Sequence, residues 1–297
     1  MADRNVHAPS QPYLPIQRCP FSLVISAAAL HSAQMSLRFR PIASVFFGLV
    51  CLWTSSTAAI EESATIQVER TERVVEGWTL EVDNRLLSGG EGELVGTQAL
   101  ALAAADLHRI TRLVPESVLE RLRTIRIVFD FNHGSLKPGQ YHPSAKWLED
   151  NGYSRDLAEK VHIPVAAGYA DANHLFAQPA VLIHELAHAY HDQFLGWNHP
   201  DILKAYQMAK AKGQYESVLH IKGRPKRKHY ALTNHKEYFA EGTEAMLYVN
   251  DFYPFVRAEL QAHDLELFKI LRRIWVDGEI PKAPANEKPA AAGGSGG

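Results

Sequence analysis

The feature that most constrains the fold is the stretch VLIHELAHAYHDQ, which runs from Val181 to Gln193. Its apolar and alanine residues recur with helical spacing, so we predict a helix from Pro179 to about Leu195 that is largely buried. Three polar side chains interrupt the apolar run: His184, Glu185 and His188. Burying two imidazoles and a carboxylate is costly unless each of them finds a partner. The stretch therefore requires polar or ionic partners elsewhere in the chain.

His184 and His188 are four residues apart, so both imidazoles lie on one face of the helix with their Cβ atoms ~5–6 Å apart. This is the H-E-x-x-H spacing, in which two histidines bind one zinc ion and the glutamate, here Glu185, takes a proton from a water. The alternative is a buried helix whose histidines share no function. A suitable third ligand downstream favours the zinc site.

A catalytic zinc site needs three protein ligands and one open position. The segment Asn234–Asn250 is predicted to be a helix, and it carries Glu237 and Glu241 four residues apart on one face. We predict that Glu237 is the third ligand and that Glu241 binds a ligand histidine from behind, which fixes the tautomer of that histidine. Weaker alternatives for the third ligand are His199, His235 and Glu244.

The remaining pattern predicts both strands and helices. Strands are predicted over three segments: 77–87, 125–131 and 159–170. The last is predicted to be an edge strand, because Pro164 cannot donate to a ladder. Further helices are predicted over four segments: 97–114, 145–151, 200–213 and 256–275. The pattern predicts an α+β fold with a small N-terminal mixed sheet and a mainly helical C-terminal lobe.

A hairpin is predicted over residues 216–232, and it carries five cations: Lys222, Arg224, Lys226, Arg227 and Lys228. A basic tip of this kind is usually a solvated surface. The alternative is that the tip lies at the rim of the site and contacts carboxylates of a substrate. The sequence leaves both interpretations open.

Residues 35–59 have the pattern of a signal peptide, in which arginines precede a short apolar run and small residues follow. The apolar run is shorter than the ~20 residues that span a bilayer. We therefore expect export to a periplasm or to the extracellular medium, without stable membrane insertion. Residues 1–34 are predicted to be a gene-model extension upstream of the true start.

Residues 60–283 are predicted to form one folded domain, and the Pro-, Ala- and Gly-rich tail 284–297 is predicted to be disordered. Cys19 and Cys51 both precede this domain, so it contains no cysteine for a disulfide or a thiolate ligand. The whole chain has a formal net charge of -2 at pH 7. That charge gives no electrostatic reason to expect a nucleic acid as partner.

The HELAH sequence followed by a helix with EYFAE resembles the gluzincin group of zinc metallopeptidases. Within that group, the segment KHYALTNHKEYFAE is similar to the catalytic domain of anthrax lethal factor and its relatives. Those proteins carry a tyrosine seven residues before the ligand glutamate, and this chain has Tyr230 at that place before Glu237. The resemblance covers roughly residues 179–247.

The resemblance implies three zinc ligands: His184, His188 and Glu237. It also implies that Glu185 is the general base of a peptidase and that Tyr230 stabilises the oxyanion, although Tyr230 could instead be a packed core tyrosine. The implied fold is zincin-like, with the segment 159–170 as an edge strand that pairs with an extended peptide or protein substrate. Two alternatives stay open for the whole chain: a catalytically inactive secreted binding protein on a peptidase scaffold, and a zinc hydrolase of a non-peptide amide.

Overall fold

The structure is a computed structural model that describes residues 68–134, 136 and 139–279. The predictions for residues 1–34, 35–59 and 284–297 lie outside the described residues, as do both ends of the predicted domain 60–283. Strands and helices are mixed within the described part of the chain, which confirms the predicted α+β class.

The N-terminal half of the described chain contains a five-stranded mixed sheet. Its strands in chain order are β1 (Arg70–Val75), β2 (Trp78–Asp83), β3 (Ile127–Phe129), β4 (Gln140–Tyr141) and β5 (Val161–Ile163). Their spatial order is β1-β2-β3-β5-β4. The three central strands are parallel, and β1 and β4 are antiparallel to their neighbours at the two edges. The predicted small mixed sheet is therefore confirmed.

The prediction that residues 159–170 form the edge strand is wrong. The strand there is β5, which ends at Ile163 and lies between β3 and β4. Pro164 follows the last paired residue, so its missing N–H falls outside the ladder and costs the sheet no hydrogen bond. The edge strand on that side of the sheet is instead β4. It is only two residues long, so it has no alternating pattern that would reveal it.

The helices are α1 (Glu93–Leu113), α2 (Glu116–Leu122), α3 (Ala145–Asp150), α4 (Ala166–Tyr169), α5 (Ala172–Ala177), α6 (Val181–Tyr190), α7 (Pro200–Ala211), α8 (His235–Leu247), α9 (Arg257–His263) and α10 (Leu265–Trp275). A separate hairpin consists of β6 (Val218–His220) and β7 (Gly223–Arg227). The sequence did not predict the short helices α4 and α5. None of the helices in the described ranges is long and apolar enough to span a membrane.

The HELAH sequence lies in α6, which begins two residues after Pro179. A π-helical turn over His191–Leu195 continues α6, and Gly196 ends it with a φ of 79°, a conformation that glycine adopts without strain. α6 packs along α8. α8 also packs closely on α10, since a Cβ at Gly242 would lie 2.5 Å from the side chain of Leu267. A single hydrophobic core thus joins the sheet to both helices and fixes their relative position.

Candidate metal centre

The facing sides of α6 and α8 bring together the three residues that the sequence predicted as metal ligands. His184 and His188 project from one face of α6, as their spacing requires. Glu237 lies in the first turn of α8, where the side chain of Asn234 accepts hydrogen bonds from the backbone N–H groups of Lys236 and Glu237 at 2.8 and 3.0 Å. This N-cap fixes the start of α8, and with it the place of Glu237.

The ligand atoms of these three residues form a nearly equilateral triangle. The Nε2 atoms of His184 and His188 are 3.0 Å apart. Glu237 Oε2 lies 3.2 Å from each of them. Ligands at about 2.0–2.1 Å around a tetrahedral ion are about 3.3 Å apart, so this triangle matches one face of such a site. The three residues can therefore hold a metal ion.

The second nitrogen of His184 is bound by a carboxylate, but not by the one that was predicted. Glu244 Oε1 lies 2.6 Å from His184 Nδ1, whereas Glu241 Oε1 is 3.9 Å away. The prediction for Glu241 is thus corrected to Glu244. The physical reason is helical geometry, because seven residues after Glu237 the helix returns to within ~20° of the same face, but four residues after it the offset is ~40°. The Glu244 carboxylate accepts the Nδ1 proton, so Nε2 is the nitrogen that faces Glu237 and would bind a metal.

Glu241 has a different set of partners. Asn250 donates to its Oε2 at 3.0 Å, and the residue is almost fully buried. Burial, and after it the charge of Glu244, raises the pKa of Glu241 well above its usual value. Glu241 therefore belongs to the packing behind the ligands rather than to their hydrogen bonds.

Glu185 lies next to the ligand triangle and reaches towards the edge of the sheet. The backbone N–H of Tyr141 in β4 donates to Glu185 Oε2 at 2.8 Å. Burial raises the pKa of Glu185, which makes its carboxylate a better proton acceptor, although His184 and His188 oppose this rise. Burial also acts to raise the pKa of Glu237, but hydrogen bonds from the two histidines outweigh it and keep this carboxyl ionised.

Tyr230 lies in a short 3-10 turn between the hairpin and α8, and it is 49% exposed. The alternative of a packed core tyrosine is therefore wrong. The turn is fixed by the preceding His229, whose ring accepts a hydrogen bond from the backbone N–H of Ala231 at 3.1 Å. Burial and the nearby charge of Glu237 raise the pKa of Tyr230, so its hydroxyl keeps its proton near neutral pH and can donate it.

All of these groups open into one cavity of about 350 Å³, which we call the central cavity. Its lining includes Gly139, the two residues of β4 and four residues of α6. Tyr230 and Asp251 also line it. Tyr141 also ties β4 to the end of α6, because its hydroxyl donates to Asp192 at 2.8 Å. The edge strand is thus held in place beside the ligands.

The other candidate histidines do not join the ligand triangle. His235 Nε2 donates to the carbonyl of Trp197 at 2.8 Å. His199 is buried at the start of α7. His191 lies in the core beside Trp197 and Phe239, and no described residue forms a hydrogen bond to its ring. His191 is therefore a fully buried core residue rather than part of the ligand triangle.

A scan of family models and searches of curated proteins and solved structures find no match to this chain. The functional conclusion therefore depends on the geometry of the site. Six residues that the sequence analysis assigned to the site lie together around the central cavity: His184, Glu185, His188, Tyr230, Glu237 and Glu241. Sequence reasoning did not find the role of Glu244 or of β4, and the only signal for Glu244 is its spacing of seven residues from Glu237.

Proposed function

We propose that this protein is a zinc-dependent metallopeptidase whose centre is the triangle of His184, His188 and Glu237. The observation that carries the proposal is the spacing of the three ligand atoms, 3.0 to 3.2 Å, in a cavity whose lining also includes Glu185 and Tyr230. A buried helix with unrelated histidines would have no reason to direct three ligand atoms to one point.

The donor set favours zinc among the divalent metals. Two imidazole nitrogens and one carboxylate are the ligands of many catalytic zinc sites, which keep a fourth position open. Bound zinc polarises a carbonyl group and lowers the pKa of a bound water to about 7. The lone pair of His184 Nε2 is available there because Glu244 holds the proton of His184 on the opposite nitrogen.

Glu185 acts as the general base in this proposal. Its carboxylate lines the central cavity beside both histidines, and the N–H of Tyr141 fixes its orientation. It accepts a proton from the attacking water and later donates that proton to the leaving amine. The Tyr230 hydroxyl donates a hydrogen bond to the oxygen that gains charge during the attack.

The substrate we propose is a peptide or protein segment in extended conformation. β4 is an edge strand in the lining of the central cavity, so an extended chain can lie along it. This arrangement supports a zincin-like fold and agrees with the resemblance to gluzincins. The predicted signal peptide at residues 35–59 implies that the substrate is outside the cytoplasm.

The test is cleavage of a diverse peptide library by the purified protein, read by mass spectrometry with and without a chelator. We expect cleavage that a chelator stops and added zinc restores. Glu185→Gln should bind zinc normally but cleave about 10²–10⁴-fold more slowly, because it cannot accept the proton. Glu120→Gln makes the same charge change on the exposed side of α2 and should cleave like the wild type. Full activity of Glu185→Gln, or no cleavage of any peptide by the zinc-loaded protein, contradicts the proposal.

A further inference from the structure

The β6–β7 hairpin and the residue after it carry five exposed cations. Several arginines elsewhere in the described chain pair with carboxylates, as Arg70 does with Asp130 and Arg273 with Asp201. In contrast, no carboxylate of the described residues lies within 4.0 Å of the five hairpin cations: Lys222, Arg224, Lys226, Arg227 and Lys228. Every residue of β7 is exposed. Unpaired like charges repel one another, so this cluster is favourable where an anion binds to it.

Two of these cations line a second cavity, which we call the hairpin cavity. It measures about 380 Å³ and contains Lys222 and Arg227. Asn173 adds a side-chain amide from α5. The other three hairpin cations are absent from its lining, because alternate residues of a strand point to opposite sides.

The hairpin cavity adjoins the central cavity. His174, Gln178 and Asp251 line both of them. Lys222 and Arg227 therefore lie in a cavity that borders the one with the metal ligands. Both cations can donate hydrogen bonds to a carboxylate, and Arg227 can do so with two parallel N–H groups.

Asp251 is the one carboxylate in the lining of the hairpin cavity. It is 7% exposed, and burial together with the charge of Glu244 raises its pKa to about 7. Lys222 and Arg227 outnumber this single carboxylate even when it is ionised. Burial lowers the pKa of the other titratable groups there, His174 and His220, so both are neutral. The cavity keeps a net positive charge.

We infer that the hairpin cavity is a specificity subsite in which Lys222 and Arg227 bind a carboxylate of the substrate next to the cleaved bond. The inference rests on the proposed peptidase function and adds a substrate class to it. The carboxylate comes either from an acidic side chain or from the free C-terminus of a short peptide.

The test compares peptides that differ only in that carboxylate. One pair has Glu or Gln near the cleaved bond and an amidated C-terminus, and a second pair has a free or an amidated C-terminus and no acidic side chain. A charge-assisted hydrogen bond should raise kcat/KM for at least one acid peptide by about 10-fold or more over its amide partner. Assays at 0.15 M salt screen charges that lie further than ~8 Å away.

Two double variants of the hairpin each remove two positive charges. Comparing them separates binding inside the hairpin cavity from the long-range electrostatic attraction of the whole hairpin. Lys222→Gln with Arg227→Gln should bring the acid-to-amide ratio close to one. Arg224→Gln with Lys226→Gln, which alters cations outside the cavity, should leave the ratio within about twofold of the wild type. Equal effects of both double variants, or no preference of the wild type for the acid peptides, overturn the inference. The proposed function still stands in that case if the protein cleaves neutral peptides.

Absence of all cleavage would instead refute the proposed function. Calorimetric binding of the same peptide pairs to the zinc-loaded Glu185→Gln protein then decides the inference separately. Tighter binding of the acid peptide that depends on Lys222 and Arg227 supports the subsite, and equal binding of acid and amide overturns it.

Discussion

Two clusters in this molecule contain the same residue types but have opposite properties. One consists of His184, His188 and Glu237, and the other of Asp130, His133 and His162. The first cluster faces the central cavity, whereas the second is fully buried. Each has three potential ligand atoms within 4.8 Å of one another. Composition and proximity alone therefore do not separate a metal centre from a structural network.

The two clusters differ in whether a basic side chain already neutralises the charge of the carboxylate. In the buried cluster Arg70 donates two hydrogen bonds to Asp130, at 2.7 and 2.8 Å. His162 Nε2 also binds Asp130 at 2.8 Å, and His142 Nε2 lies 3.2 Å from the other nitrogen of His162. The guanidinium thus supplies the positive charge that a metal would bring. His133 is 3.9 Å from Asp130, too far to hydrogen-bond it.

The buried network instead joins strands. Arg70 lies in β1, Asp130 follows β3, His162 is in β5 and His142 follows β4. Four of the five strands meet through these side chains, including the edge strand of the central cavity. We infer a structural role for this cluster and a metal-binding role for the other. The following predictions test that division, starting with the largest expected effect.

Removal of one histidine from each cluster should affect metal binding very differently. His188→Ala removes a ligand and should weaken zinc binding by at least about 100-fold. His133→Leu should keep one zinc per chain, because His133 belongs to the buried cluster and not to the ligand triangle. Zinc affinity is measured by competition with a chromogenic chelator. Loss of zinc from His133→Leu but not from His188→Ala would show that the buried cluster is the metal site.

Asp130→Asn should act on stability rather than on metal binding. It leaves the buried Arg70 without its partner, which should cost about 3–5 kcal/mol in the free energy of unfolding at pH 7. Asp156→Asn is the matched control, since Asp156 is an exposed carboxylate 3.7 Å from the same arginine, and it should cost below about 1 kcal/mol. Both costs are measured by urea unfolding.

The cost of Asp130→Asn should also depend on pH. Burial would raise the pKa of Asp130, but hydrogen bonds from His162 and Arg70 lower it to about 2. A carboxyl whose pKa is depressed by folding stabilises the protein above its unfolded pKa of about 3.9, and this contribution is lost as the pH falls towards 2. The difference between wild type and Asp130→Asn should therefore shrink between about pH 4 and pH 2. A difference that stays constant over this range would show that the charge of Asp130 does not stabilise the network.

The smallest expected effect concerns the residues behind the ligands. Glu244→Gln should weaken zinc binding by about 10–100-fold, because the amide no longer accepts the His184 proton as a carboxylate does. Glu241→Gln should change zinc binding by less than about threefold, since its oxygen lies 3.9 Å from that nitrogen. Chelator competition with both variants measures the two effects. A larger effect of Glu241→Gln would restore the original prediction from the sequence.

Local patterns predicted α6 and the residues that meet between α6 and α8. The apolar spacing around HELAH predicted the helix, and the four-residue spacing predicted which histidines share a face. Glu237 was predicted as a ligand because a second glutamate follows it four residues later, on the same face of the helix. Which glutamate supports His184 depends on how α6 crosses α8, and this crossing is set by packing between segments about 50 residues apart in the chain. The only local signal for the role of Glu244 is the spacing of seven residues between Glu237 and Glu244.

The edge strand and the buried network were missed for a similar reason. β4 has two residues, too few for any alternating pattern, and tertiary contacts such as the bond from Tyr141 to Glu185 define it. Arg70 and Asp130 are 60 residues apart, so their pairing appears only when β1 and β3 enter one sheet. Such long-range pairs can be recognised only when the three-dimensional structure is known.

The most direct test of the central claim is the position of bound zinc in the crystal. Anomalous diffraction at the zinc edge, from protein supplied with one equivalent of zinc, locates the ion without reference to activity. The account predicts one peak about 2.0–2.1 Å from the Nε2 atoms of His184 and His188 and from a carboxylate oxygen of Glu237. A peak at the Asp130 cluster, or no peak between α6 and α8, would contradict it.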